Sequence, residues 1–104
     1  MKIKFKPDTE QVQDNTRLKA WDIIVDGKVV GGIDTCIRDL FMSRTTPGYS
    51  VTVTAVIIGK EKSFREYSAA FSNRSSEEAH GNRAEYVRRA KAWATKHFER
   101  STAS

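Results

Sequence analysis

The chain has 104 residues, a formal net charge of +5 and a single cysteine, Cys36. This length favours one domain spanning residues 1–104, and a lone cysteine excludes an intrachain disulfide framework. No apolar run approaches the ~20 residues that a membrane helix needs, and the amino terminus lacks a signal-peptide pattern, so we expect a cytoplasmic protein without a membrane partner. Fifteen Val and Ile against two Leu indicate a sheet-weighted core, because β-branched side chains suit strands.

The amino-terminal region predicts a short strand followed by a loop. Residues 2–6 place Ile3 and Phe5 on one face and three lysines on the other, which is typical of a half-buried strand. Residues 8–17 are polar and are interpreted as a loop.

A hairpin follows, built around Asp26-Gly27, a pair typical of tight turns. Its strands are predicted over residues 18–25 and 28–33. A two-residue turn would place Ile24 opposite Val29, Ile23 opposite Val30, and Trp21 opposite Gly32. Because both hairpin faces are largely apolar, we expect it in the sheet interior or covered on both sides. The pair Gly31-Gly32 indicates a bulge or a close approach of another group.

Residues 33–42 allow two interpretations. Apolar residues recur there at helical spacing and Asp34 is a suitable cap, so a short helix near residues 34–42 is the leading prediction. A long irregular strand is the alternative. Cys36 belongs to the helical stripe, and we interpret it as a buried structural cysteine.

The remaining elements are two strands and a helix. Alternation from Tyr49 to Ile57 predicts a strand, and Phe64 to Phe71 predicts its return, although the second spacing also suits a helix. Two successive capping patterns predict a short first turn, a break near Gly81 and a main helix over 83–99. The predicted fold is therefore α+β, a mainly antiparallel sheet of four to five strands with this helix packed on one face.

The excess positive charge is concentrated in the last helix. Residues 83–104 contain six cations and two anions, whereas the rest of the chain is nearly neutral. On a helical wheel, Arg89, Lys96 and Arg100 project within about 40° of one another, and Trp93 borders them. A cationic stripe beside an aromatic ring is typical of phosphate contact and base stacking, but a solvated helix face explains the same pattern. The predicted binding residues are Arg88, Arg89, Lys96, Arg100 and Trp93 on the helix, with Lys2, Lys4 and Lys6 as a second basic group.

No catalytic or metal-binding pattern stands out in the sequence. One cysteine and two distant histidines do not form a zinc cluster, no carboxylate pair has acid–base spacing, and the glycines do not form a phosphate loop. His97 falls on the apolar helix face, where a packed imidazole is the expectation. We therefore predict a protein that is not an enzyme, with no cofactor and no metal.

Two functions remain open after this reasoning. The leading hypothesis is a small accessory protein that binds nucleic acid non-specifically through the basic helix. The alternative is a protein-interaction or inhibitor module with an acidic partner, or a homodimer formed through an exposed strand. The element order, with its Asp-Gly hairpin and a helix ending in Ala-x-x-Trp, resembles that of many small proteins of phages and other mobile elements.

Overall fold

A computed structural model describes residues 2–13, 16–40, 47–59, 63–72 and 74–102, the last four as backbone only. The described residues form six strands followed by one helix. The elements are β1 (Ile3–Pro7), β2 (Gln11–Gln13), β3 (Thr16–Val25), β4 (Lys28–Asp39), β5 (Gly48–Ile57), β6 (Ser63–Phe71) and α1 (Ser75–Thr102).

All strand pairs in the sheet are antiparallel, and the order is β1-β3-β4-β5-β6. The short strand β2 also pairs with β3, beyond the end of β1, so these two strands share one edge. The strand β6 forms the other edge. The prediction of an α+β fold with the last helix packed on an antiparallel sheet is confirmed, and the hairpin β3–β4 lies in the sheet interior as expected.

The helix packs on one face of the sheet, chiefly over β5. Alternation sends Ile33 and Ile37 of β4, and Val51 and Val53 of β5, to this face, where all four are buried. The helix contributes a stripe of small and β-branched residues to the same core: Ala79, Val87, Ala90 and Ala94. Small helix residues let the helix backbone approach the branched strand residues closely, which explains how a core that contains neither Leu18 nor Leu40 is filled.

The prediction of a short helix near residues 34–42 is wrong for the part that the structure describes, because β4 continues as a strand to Asp39, and residues 41–42 lie outside the described residues. The strand places Ile33 and Ile37 on the core face and Cys36 on the other face, so Cys36 is half-buried and not part of an apolar stripe. Pairing of β4 with β3 on one side and β5 on the other stabilises the strand more than the helical spacing of its apolar residues favours a helix. The predicted loop over 8–17 contains β2, whose three residues are exposed and carry no apolar alternation.

The β3–β4 hairpin turns at Asp26 and Gly27, which both have positive φ as this turn type requires. Ile24 faces Val29 as predicted, but the register then shifts, so that Ile23 faces Gly31. The predicted pairs of Ile23 with Val30 and of Trp21 with Gly32 are wrong, because Val30 is an extra bulge residue. The shift places Gly31 beside the Val56 carbonyl oxygen, where the Cβ of any larger residue would clash.

The helix runs without interruption from Ser75 over 28 residues, about 42 Å. The predicted break near Gly81 is wrong. A glycine inside a helix costs about 1 kcal/mol, and continuous packing from Ala79 to Ala94 outweighs that cost. The hydroxyl of Ser75 is buried and donates a hydrogen bond to the backbone carbonyl of Pro47, which ties the start of the helix to the start of β5.

Candidate functional site

One margin of the helix runs along the edge strand β6 and is joined to it by three side-chain contacts. The Asn82 amide donates to the Ser68 hydroxyl at 3.3 Å. Arg89 lies 3.6 Å from the Glu66 carboxylate. Trp93 packs against Phe64 with ring centroids 6.2 Å apart. These contacts follow one another along both elements because Phe64, Glu66 and Ser68 share the helix-facing side of β6.

Beyond the Trp93 contact, this margin opens into a groove of about 520 Å³. We call it the Trp93 groove; it is lined by Arg89, Ala92, Trp93, Thr95 and Lys96. The indole is half-buried, and the ring of His97 stacks at 6.5 Å from it, so the aromatic is held in place from within the fold. Three of the residues predicted from the sequence, Arg89, Trp93 and Lys96, are thus brought together in one surface feature.

Carboxylates lie close to the arginines of this region. Glu85 accepts hydrogen bonds from Arg88 at 3.0 Å and from Arg89 at 3.2 Å. The hydrogen bond from Arg88 is the main cause that lowers the pKa of Glu85, and the same contact raises the pKa of Arg88. Arg89 also faces Glu66, so its charge is shared between two carboxylates. Lys96 is exposed and has no carboxylate partner in the described part of the chain, which makes it the most available cation of the groove.

The opposite margin of the helix is occupied by structural contacts. Arg83 donates to the carboxylate of Glu10 at 2.7 Å, and this hydrogen bond is the main cause that lowers the pKa of Glu10. The Lys91 ammonium lies 5.6 Å from the rings of both Phe5 and Trp21. These two cations join the helix to the β1 side of the sheet and face away from the groove.

The amino-terminal lysines do not join the helix cluster. Ile3 and Phe5 pack on the helix side of the sheet, so Lys2, Lys4 and Lys6 lie on the other face. Lys2 and Lys4 border a separate depression of about 370 Å³ beside Ile24 and the hairpin turn. Arg88 points outward next to the groove and does not line it. The side chain of Arg100 lies outside the described residues.

Two β6 residues that shape the groove margin, Glu66 and Phe64, were not predicted from the sequence. Their period-two alternation with Ser68 was the available signal, since it places all three on one face of a strand. The row on the other face of β6, where Arg65, Tyr67 and Phe71 are exposed, was not predicted either. No element among the described residues covers that face of the sheet.

Other site classes have little support in the fold. Cys36 lies on the helix-free face, whereas His97 contacts the rings of Trp93 and Phe98 on the helix side. No group of three or more His, Cys, Asp or Glu that could hold a metal ion occurs within the described ranges. The described part of the chain also contains no helix long and apolar enough to cross a membrane.

Comparison with known proteins does not add a family to this picture. No protein-family model, no curated protein and no solved structure matches the chain significantly.

Proposed function

We propose that this protein binds nucleic acid, in single-stranded form, at the Trp93 groove. The observation that carries the proposal is the convergence of Trp93, Arg89 and Lys96 in one open groove on the most basic element of the chain. An indole beside cations stacks on an unpaired base while the cations contact the flanking phosphates. Paired bases in a duplex do not offer their faces for such stacking, which favours a single strand. The proposal includes no catalytic step.

The charges of the groove predict modest and non-specific affinity. Among the side chains that the structure describes, Lys96 has no carboxylate partner, whereas Arg89 is shared with Glu66 and Glu85. Two to three phosphate contacts would give a slope of log K against log salt of about −1.4 to −2.1 for a single strand. Stacking on one indole adds about 1–3 kcal/mol and tolerates any base.

The test is fluorescence anisotropy with a labelled oligothymidylate at about 50 mM salt and at increasing salt. Lys96→Ala should weaken binding about three- to tenfold, and Trp93→Ala at least fivefold, because stacking contributes more than one exposed charge. Lys28→Ala is the matched control, since Lys28 is an exposed lysine at the distant hairpin turn. Absence of binding at low salt, or an equal effect of Lys28→Ala and Lys96→Ala, would contradict the proposal.

A second candidate function is binding of another protein on the helix-free face of the sheet. It is favoured by the exposure of Val56, Tyr67 and Phe71, each of which leaves roughly half of its surface in solvent. All three side chains lie on the face of the sheet that no described element covers, and exposed apolar side chains on such a face can contribute to an interaction surface. Lys96→Ala would leave such binding unchanged, whereas Tyr67→Ala would weaken it, and the two variants therefore separate the two functions.

A further inference from the structure

The two edges of the sheet differ in how they are protected against pairing with another strand. The β1–β2 edge consists of short strands, ends at Pro7 and carries three lysines, features that prevent edge-to-edge association. The edge strand β6 has nine residues, a regular register with β5, and neither proline nor lysine. The inward-facing carboxylate of Glu66 is paired with Arg89, so an edge of this length without proline or lysine is suited to accept a further strand.

The backbone groups available at this edge follow from the hydrogen-bonding alternation. The Ser72 amide donates to the Pro47 carbonyl, so residues 72 and 47 form a hydrogen-bonded pair at the end of the β5–β6 ladder. In an antiparallel ladder such pairs alternate with non-bonded ones, so the even-numbered residues of β6 bond to β5. The amides and carbonyls of the odd-numbered residues therefore point away from the sheet: Ser63, Arg65, Tyr67, Ala69 and Phe71. Within the described ranges no other strand pairs with them.

We propose that β6 pairs antiparallel with β6 of a second copy of this chain, with Tyr67 on the two-fold axis. Tyr67 is the central residue of the nine in β6, so this register pairs the whole strand. Moving the axis by one residue in either direction leaves two residues of each strand unpaired. An axis through Glu66 would also place two carboxylates directly opposite each other, which is unfavourable.

The side chains of the row on the helix-free face complement one another in this register. Arg65 lies opposite Ala69 of the second copy, and its diagonal neighbours are Tyr67 and Phe71 of that copy. A guanidinium between two aromatic rings is a favourable cation–π arrangement. Pairing also removes from solvent part of the Tyr67 and Phe71 side chains, which are 57% and 48% exposed. On the helix side, Glu66 lies opposite the hydroxyl of Ser68, which can donate to it.

The helices do not obstruct the pairing. Since the helix lies chiefly over β5, three strand spacings of ~4.8 Å separate the two helix axes by about 14 Å, more than the 8–10 Å of packed helices. The two Trp93 grooves then face each other across the joined β6 strands. The dimer itself does not depend on nucleic acid.

A cysteine scan across the proposed axis tests the register in a Cys36→Ser background. Residues on the axis have Cα atoms about 5.5 Å apart, within disulfide range, whereas the two copies of residue 69 would be about 14 Å apart. Tyr67→Cys should therefore form an intermolecular disulfide on mild oxidation, and Ala69→Cys should not. Crosslinking of Ala69→Cys in place of Tyr67→Cys would overturn the register.

Sedimentation tests the dimer without oxidation or nucleic acid. The unmodified chain should shift from monomer towards dimer as its concentration rises to about 100 μM, as expected for a modest interface. Ala69→Pro removes one outward amide and no β5 hydrogen bond, so it should keep the circular dichroism spectrum and remain monomeric. A monomer at all concentrations would overturn the proposal, and so would a dimer that persists in Ala69→Pro. Neither result would affect binding at Lys96 by a monomer.

Discussion

Gly31 is the position at which one added carbon should most disturb the sheet. It pairs with Ile57 next to the bulge in β4. A Cβ at this position would lie 2.2 Å from the Val56 carbonyl oxygen and 3.1 Å from the Cα of Ile57. Both are backbone atoms, so no side-chain rotation relieves the contact. In Gly31→Ala, β4 and β5 must therefore separate locally.

The cost of this separation can be worked out from the neighbouring bonds. Moving the strands apart by about 1 Å weakens the hydrogen bond from the Ile58 amide to the Val30 carbonyl, now 2.8 Å, which lies next to the substitution. Steric strain of about 1–3 kcal/mol and the weakening of one or two hydrogen bonds destabilise the folded chain. Together they exceed the stability of about 0.4–1 kcal/mol that alanine gains by restricting the unfolded chain. We expect a net loss of about 3 kcal/mol in the free energy of unfolding, or a Tm lower by about 12–24 °C.

The adjacent Gly32 provides the matched control. A Cβ there would meet only the Trp21 carbonyl oxygen at 3.5 Å, an ordinary contact, and neither glycine has a positive φ. Gly32→Ala should therefore change the free energy of unfolding by less than about 1 kcal/mol. Thermal and urea denaturation followed by circular dichroism measure both variants. If Gly31→Ala and Gly32→Ala differ by less than about 0.5 kcal/mol, the steric reasoning is refuted.

Three further predictions concern individual contacts. Arg83→Met should cost about 1 kcal/mol at neutral pH. Because the contact lowers the folded-state pKa of Glu10, its stabilisation is complete above the ordinary glutamate pKa and is lost as the pH falls through the lowered pKa. In acid, urea denaturation should therefore give similar free energies of unfolding for Arg83→Met and the unmodified chain. Ser75→Ala should cost about 1 kcal/mol in the same assay, because the Pro47 carbonyl loses one of its two hydrogen bonds and keeps the one from the Ser72 amide, and an unchanged midpoint would contradict this. A Cβ on Gly48 would lie 2.3 Å from the Phe71 ring, so Gly48→Ala should be destabilising alone and much less destabilising in combination with Phe71→Ala. Additive effects of the two substitutions in a double-mutant cycle would exclude the clash.

The local patterns of the sequence determined most elements of the fold. Alternation in β1 and β5 is a property of each strand alone, so their existence and their inward faces could be predicted, whereas for β6 only the strand was predicted and not its inward face. The helix wheel likewise placed Arg89, Trp93 and Lys96 on one side of α1, because residues three, four and seven apart adjoin on any helix. The strand-or-helix ambiguity of residues 33–42 could not be resolved in this way, since Ile33 and Ile37, four residues apart, share a face in a helix and in a strand.

Only the tertiary structure decided which contacts those elements make. In the structure β4 is a central strand, the helix continues through Gly81, and Arg89 has a second carboxylate partner, Glu66 of β6. The charge of the basic helix is consequently smaller at the groove than the sequence indicates, and the amino-terminal lysines lie on the other face. Periodicity records which residues share a face of one element. The partner of that face is set by strand order and by contacts between residues as distant as Glu10 and Arg83, which no local pattern contains.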